Sequence, residues 1–309
     1  MNAGSDGAEI LVVCGPTAAG KSSLALDLAQ REPSVIISAD SRQVYRGFDV
    51  GTAKPTAKER ALVPHEGLDV ADPETRYSAA AWATAADRWI DAALGAGRRP
   101  IVVGGTGLYL RALFEGLFEE PALDLERRNA LESQLATYST DSLRKWVDQL
   151  DPPRAHLGRT QLLRSIQIAL LTGRRLSDLH RERPRKPRWR PRYLVVDPGP
   201  PLGERIARRI DDMLEHGWAD EVQRLMQTIP SDAPAWNSTG YGAVRQMLDG
   251  ALSRTALHEK VLIDTRQYAK RQRTWFRHQL PDDLTTRVDP TGDDCAAIVD
   301  AWSKGGKLA

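Results

Sequence analysis

The chain has 309 residues, 41% of them hydrophobic and 27% charged, with a formal net charge of +2. That is the make-up of a soluble globular protein, one large domain or a core with a smaller companion, and it contains no run of about 18 apolar residues to span a membrane. The opening "MNAGSDGAE" lacks the basic region and apolar core of a leader, and two cysteines, Cys14 and Cys295, are too few for a disulfide framework, so a reducing cytoplasm is expected.

In chain order, "EILVVC" (9–14) reads as a buried strand, followed by a glycine-rich loop and a helix. "SVIISA" (34–39) is a second strand and "GLDV" (67–70) a weaker one. Residues 78–96 carry Trp82, Ala86, Trp89, Ile90 and Ala93 on one helical face. "RPIVVG" (99–104) is the next strand. From about 119 to 191 no strand pattern occurs; "PALDLERRNALESQLATYST" and "RTQLLRSIQIALLTGRRLSDLH" are helical. "RYLVVD" (192–197) then returns to the strand pattern, and only helices are expected after it, near 201–228, 240–250, 256–279 and 294–303. Strands alternating with helices imply an α/β fold, a mostly parallel sheet with helices on both faces. The expected division is a P-loop core at 1–118 and 196–309 with an inserted all-helical subdomain at 119–195.

Residues 15–22, "GPTAAGKS", fit the phosphate-loop pattern without a mismatch, after a strand and before a helix. Gly15, Pro16, Thr17, Ala18, Ala19 and Gly20 let the backbone wrap an anion. The helix N-terminus adds positive potential, Lys21 a full charge, and the Ser22 hydroxyl a ligand for magnesium. This implies a polyphosphate, not a particular nucleotide. A kinase usually keeps an Asp at the end of a second strand to hold magnesium, yet "RPIVVGGTG" ends in glycines and Thr106. Asp40, at the end of "SVIISAD", is the expected partner of Lys21; spacing leaves open whether it ligands metal or acts as a base.

Two basic segments carry a tryptophan each. Residues 181–192 hold seven cations and one acid, and residues 266–277 five cations and no acid. Together they point to a nucleic-acid partner. In the second, Arg266, Lys270, Arg273 and Arg277 recur at helical spacing, with Tyr268, Arg271 and Trp275 on a neighbouring stripe; the expected division is phosphate contact on one side and packing on the other.

"GPTAAGKS", "ISADSRQVYRGFDVGTAKP", "VPHEGLDVADPETRYSAA", "IVVGGTGLYLRALFEGL" and "RQYAKRQRTWFR" occur in this order. Together, over residues 10–280, they resemble the tRNA dimethylallyltransferase (tRNA isopentenyltransferase) family. The resemblance implies transfer of a dimethylallyl group from dimethylallyl diphosphate to N6 of the adenosine 3′-adjacent to the tRNA anticodon, with magnesium, in a cytoplasmic monomer. It implies that the loop holds an isoprenoid diphosphate and that Asp40 is the base. It points to Arg205 in "PLGERIARRID" as a further cation on the diphosphate, ahead of Arg208 or Arg209. It implies RNA contacts from Asp40, Ser41, Arg42, Gln43, Thr106, Gln161, Leu162, Leu163, Arg164, Lys270, Arg271, Arg273 and Arg277. Thr106 is expected to aim its hydroxyl at the bridging oxygen, or to cap the following helix. The chain departs from the family pattern at Gly242, where an arginine is usual after Tyr241, and at "LGRT" and "RSIQ" in the insertion. No Cys/His pattern for a zinc finger follows residue 280. His65 reads as a strand-edge residue. The rival readings are a P-loop kinase for a small metabolite, an RNA-binding protein with an anion-dependent loop, and an enzyme of the same chemistry acting on free AMP or ADP.

Overall fold

The computed structural model describes residues 7–116, 123–182 and 187–305. Among them β1 (Glu9–Cys14), β2 (Ser34–Ser38), β3 (His65–Glu66), β4 (Arg99–Gly104), β5 (Arg190–Val196) and β6 (Thr285–Val288) form one sheet, ordered β3-β2-β4-β1-β5-β6. Every pairing is parallel. All of β2 and all of β1 beyond Glu9 are buried, as unbroken apolar runs must be when helices cover both faces. Cys14 stands opposite Gly104, and Ser38 opposite Val103. The carboxyl ends of β1, β2 and β4 therefore finish side by side, where such sheets put their ligands.

The chain divides into two compact units, residues 1–114 with 187–309, and residues 115–186. The sheet unit contains α1 (Lys21–Ala29), α2 (Ala57–Leu62), α3 (Ala79–Gly95) and α4 (Gly107–Arg111) ahead of the break. Ser78 caps α3 by accepting from the amide of Ala81 at 3.1 Å, one of the four donors a helix start leaves unsatisfied. The apolar face of α3 then packs inward. Trp82 donates Nε1 to the Ser38 carbonyl at 3.0 Å and stacks on Tyr109, with ring centroids 4.7 Å apart.

The second unit is helical: α5 (Leu125–Ala136), α6 (Thr140–Leu150), α7 (Arg159–Thr172) and α8 (Leu176–Glu182). Leu135, Leu143, Val147, Leu162 and Ile166 form its own core. After the return come α9 (Leu202–Glu215), α10 (Trp218–Met226), α11 (Tyr241–Leu248), α12 (Arg254–His278) and α13 (Cys295–Ser303). No helix among the described residues is long and apolar enough to cross a membrane.

Four expectations are corrected. The weak strand lies at His65–Glu66, not 67–70, because Gly67 (φ 79°) and Asp69 (φ 58°) turn the chain out of extended geometry. The helical unit ends at 186 rather than 195. Trp189 is buried with Nε1 on Asp87 at 2.9 Å, and Arg190 already pairs with Glu9. The expected helix over 201–228 breaks at Gly217 into α9 and α10. The tail is not purely helical, since β6 pairs with β5 from Tyr193–Thr285 to Val196–Val288. The first basic segment is also largely structural where it is described. Arg188 forms an ion pair with Asp91, and Arg192 reaches Glu9 and the Trp302 carbonyl; residues 183–186 lie outside the described residues.

Candidate active site

The loop after β1 is wound as an anion cradle. Gly20 takes φ 97°, a conformation open to glycine at no steric cost, and Ala18 is held at φ 61°, which costs a non-glycine residue about 1–2 kcal/mol. Strain of this sort persists where a ligand site requires it. The start of α1 has no side-chain cap, so its first amides remain for a ligand. Lys21 donates Nζ to the Pro16 carbonyl at 2.6 Å. Burial, reinforced by Arg209 and partly opposed by Asp40, pulls the Lys21 pKa down to about 8. Ser22 is exposed at the mouth.

Helix α9 adds two arginines. Arg205 donates Nε to the Ala18 carbonyl at 2.9 Å, so the cation expected on the loop is there. Arg209 stands close enough to disfavour the charge on Lys21, and burial lowers its own pKa while Asp40 opposes that shift. Arg208 lines the same cleft. The cleft has a volume of about 710 Å³ and is bounded by Lys21, Ser22, Asp40, Gly105, Arg205 and Arg209, among others.

Asp40 is two residues beyond β2. Its Oδ1 accepts from the amides of Arg42 at 2.8 Å and Gln43 at 3.4 Å, leaving Oδ2 without a protein partner among the described residues. Thr106 does not cap α4 with its side chain. Its Oγ1 instead accepts from the Ser41 amide at 3.0 Å and donates to Ser41 Oγ at 3.4 Å, with Tyr268 close by. It sits beside the residues lining the cleft. The Tyr268 phenol is raised to about 12, chiefly by burial and then by Asp40.

Gln43 is buried. Its Nε2 donates to the Thr52 and Ala53 carbonyls at 3.2 and 3.0 Å, and its Oε1 accepts from Ser38 at 2.9 Å. These bonds make Gln43 a brace beside Asp40, and it also lines the cleft. Lys54 is a second brace. It is 8% exposed, and its Nζ meets Tyr45 O at 2.7 Å and both Asp49 and Asp69 at 2.6 Å. Against the upward push of burial, Lys54 and Arg60 hold the Asp69 carboxyl below its usual range. Glu221 on α10 accepts from the Asp49 and Val50 amides and from the Tyr241 hydroxyl. The sequence named none of Lys54, Glu221, Tyr268 or Gln272 as site residues, although "GTAKP" and "RQYAKRQRTWFR" contain three of them.

A family model described as IPP transferase matches residues 43–279, and one described as isopentenyl transferase matches residues 8–63. The tRNA dimethylallyltransferase of Halorhodospira halophila is 41% identical over 297 residues, covering 93% of this chain and 94% of that protein. That of Synechococcus elongatus is 42% identical over 273 residues, covering 87% of each. This chain belongs to the IPP transferase family. Among solved structures, a tRNA isopentenylpyrophosphate transferase of Staphylococcus epidermidis superposes with a TM-score of 0.68 at 28% identity, over 96% of this chain and 98% of that one.

In this IPP transferase the residues expected to face RNA separate into two sets. Lys270, Arg271 and Arg277 are exposed on α12, as is Arg266. Arg273 is drawn into an ion pair with Asp197 and a bond to the Gly199 carbonyl, both at 2.5 Å. Trp275 is half-buried against Gly107, as its packing role required. Of the four α7 residues expected to meet RNA, only Gln161 is exposed. Arg164 bonds Gln167 at 3.3 Å. Leu162 is fully buried in the helical unit's core and Leu163 packs against that core, so both are corrected from RNA contacts to packing residues. Arg245 does not substitute for the arginine absent at Gly242, because its guanidinium lies 4.5 Å over the Trp236 ring and its Nη1 bonds Ser231 O.

The donor set suits a magnesium ion that arrives with its substrate. Among the described residues no cluster of three or more His, Cys, Asp or Glu could hold a metal alone. Ser22 and Asp40 line one cleft with oxygen donors. Magnesium commonly keeps several waters and takes one or two protein oxygens plus phosphate oxygens, so the two residues fit that role.

Proposed function

We propose that the chain transfers the dimethylallyl group of dimethylallyl diphosphate to N6 of the adenosine 3′-adjacent to the anticodon of tRNA, releasing diphosphate. The observation that carries this is one cleft with the anion cradle of Lys21, Arg205 and Arg209 on one wall and the carboxylate of Asp40 on another. β4, where a kinase would keep a magnesium-binding Asp, ends in Gly104 and runs on through Gly105 to Thr106.

In the transfer the C1–O bond of the donor breaks with its electron pair going to diphosphate, and a C1–N6 bond forms. Negative charge therefore grows where Lys21, Arg205, Arg209 and the amides at the start of α1 converge, and in many enzymes preorganised charge of this kind contributes more to the rate than any other effect. Magnesium held by Ser22 would neutralise part of the diphosphate charge when bound. The N6 lone pair is delocalised into the purine, so N6 becomes nucleophilic only as its proton leaves. Oδ2 of Asp40 takes that proton, while Oδ1 stays fixed by the Arg42 and Gln43 amides. The Thr106 hydroxyl accepts from the Ser41 amide, and its proton, given to Ser41 Oγ at 3.4 Å, would turn to the leaving oxygen. A base inside a stacked loop cannot reach Asp40, so the adenine is extruded at a cost of roughly a few kcal/mol, with Ser41, Arg42 and Tyr268 beside it. The helical unit, through Gln161 and Arg164, and the exposed cations of α12 hold the anticodon stem-loop. The same reading makes the enzyme a cytoplasmic monomer; both of its cysteines are free.

The deciding assay offers radiolabelled dimethylallyl diphosphate together with bulk tRNA, AMP and ATP. Label is expected in tRNA alone, at the adenosine following the anticodon. Label in AMP, or phosphate release from ATP without prenylation, would overturn the proposal.

A further inference from the structure

The three residues that follow β4 are each met by a different side chain from one face of α12. Gln272 donates Nε2 to the Gly105 carbonyl at 2.8 Å. Tyr268, one turn earlier, lies close to Thr106. Trp275, almost one turn later, occupies the space into which a Cβ on Gly107 would project. A Cβ on Gly105 would likewise collide with the Gln272 amide. The glycines at 105 and 107 are the counterpart of this close approach.

Gln272 makes one more contact, and it lies on a different loop. Its Oε1 accepts from the amide of Thr17, in the phosphate loop, at 2.9 Å. The side chain is 7% exposed, and a buried amide is tolerated only when its donors and acceptors are matched. A leucine would fill similar volume without that requirement, so filling alone does not explain a glutamine. Beyond the strand ladder, which ends at Cys14 and Gly104, the Gln272 amide is the hydrogen-bonded link between these two loops among the described residues. It also commits the Thr17 amide to protein and leaves the anion to the remaining loop amides.

We infer that Gln272 is a positioning residue for the transfer reaction, holding the phosphate loop and the Thr106 hydroxyl as one frame around the departing diphosphate. This rests on the function proposed above. Group transfer is sensitive to such framing because displacement of a reacting group by about 1 Å costs on the order of 10²-fold.

The test is a double-mutant cycle on single-turnover transfer at saturating donor and RNA, with Gln272→Leu, Gln272→Glu, Thr106→Ala and the two doubles. The Glu variant keeps the shape and the acceptor for Thr17 and replaces the donor to Gly105, so it carries the test if the Leu variant does not fold. Each Gln272 variant is expected to slow transfer on the order of 10²-fold with stem-loop affinity unchanged within about twofold. Thr106→Ala, costing about 10²–10³ alone, should cost less than about tenfold in either background, because groups that act as a unit are not additive. Additive penalties, or a Gln272→Glu rate equal to wild type, overturn the inference. Calorimetry with inorganic diphosphate separates this outcome from failure of the proposed function. Diphosphate should bind the Gln272 variants at least about threefold more weakly whatever the acceptor is, if the frame of loop amides is what Gln272 maintains; unchanged binding counts against it. Wild-type protein that binds diphosphate but prenylates no RNA would remove the functional reading alone.

Discussion

Lys21 is held in a site that disfavours its own charge until an anion arrives. Its pKa of about 8 in the folded protein lies below its ordinary 10.5. The unfolded chain therefore binds more protons between these values, and the cost of Lys21 to stability, complete below about 8, lifts as pH rises through that window. A diphosphate reverses the balance by favouring the ammonium form. At pH 8, donor binding should take up roughly half a proton, read as a heat that changes with buffer ionisation enthalpy. Lys21→Arg, whose guanidinium stays charged, should lose that dependence; equal uptake in both proteins would refute the assignment. For Asp40, Asp40→Asn keeps the acceptor at Oδ1 and removes the base, so single-turnover transfer should fall about 10²–10⁴-fold with RNA affinity retained. A rate within about threefold of wild type, by the same order-of-magnitude reasoning, would end the base role. These residues were legible because each lies in a contiguous string whose chemistry fixes its neighbours: the glycines and Lys21 in "GPTAAGKS", and Asp40 at a strand tip. Lys54, Glu221 and Gln272 were not, because a buried polar residue announces itself only through its partners in the fold. Gln272 and Thr17 are 255 positions apart.

At the scale of elements, α12 has two faces with different tasks. Inward, Tyr268, Gln272 and Trp275 meet the loop after β4. Outward, Arg266, Lys270, Arg271 and Arg277 are exposed, and the Arg271 guanidinium lies 5.8 Å from the Tyr268 ring. The basic stripe was readable from its spacing, but Arg273 falls on the same stripe and is neutralised by Asp197, which no periodicity encodes. Lys270→Ala and Arg277→Ala should each weaken stem-loop binding and lower the log–log salt slope by about 1, whereas Arg273→Ala should leave the slope unchanged and lower thermal stability. Equal slopes for all three variants would contradict the division of faces. The insertion helix α7 makes the same point: Leu162 belongs to a string that looks like a contact surface, yet it faces Leu143 and Val147 in the core of its own unit.

For the whole molecule, the four inner strands were legible as apolar runs, but neither edge was: β3 lies at 65–66 instead of 67–70, and β6 was missed. β6 is four residues, "TTRV", too short and too polar to stand out. It completes the sheet by pairing with β5, and α13 backs it. Arg99 and Arg192 reach the Ser303 and Trp302 carbonyls at 2.7 and 2.8 Å. Trp302 is 2% exposed, so Trp302→Ala should cost about 3–5 kcal/mol in urea unfolding. A loss under about 1 kcal/mol, a small fraction of that range, would mean that this corner bears little of the fold.

β5 acquires its outer neighbour only after everything from Asp197 to Leu284 has been threaded through α9 to α12. A chain still being synthesised thus possesses its diphosphate loop long before the adjoining sheet margin is sealed, and through that interval it displays a naked row of amides and carbonyls beside an apolar strand. Self-association at this margin is the hazard that such an order of assembly creates. Nonsense truncations beyond α12 should therefore yield aggregates rather than weak enzymes.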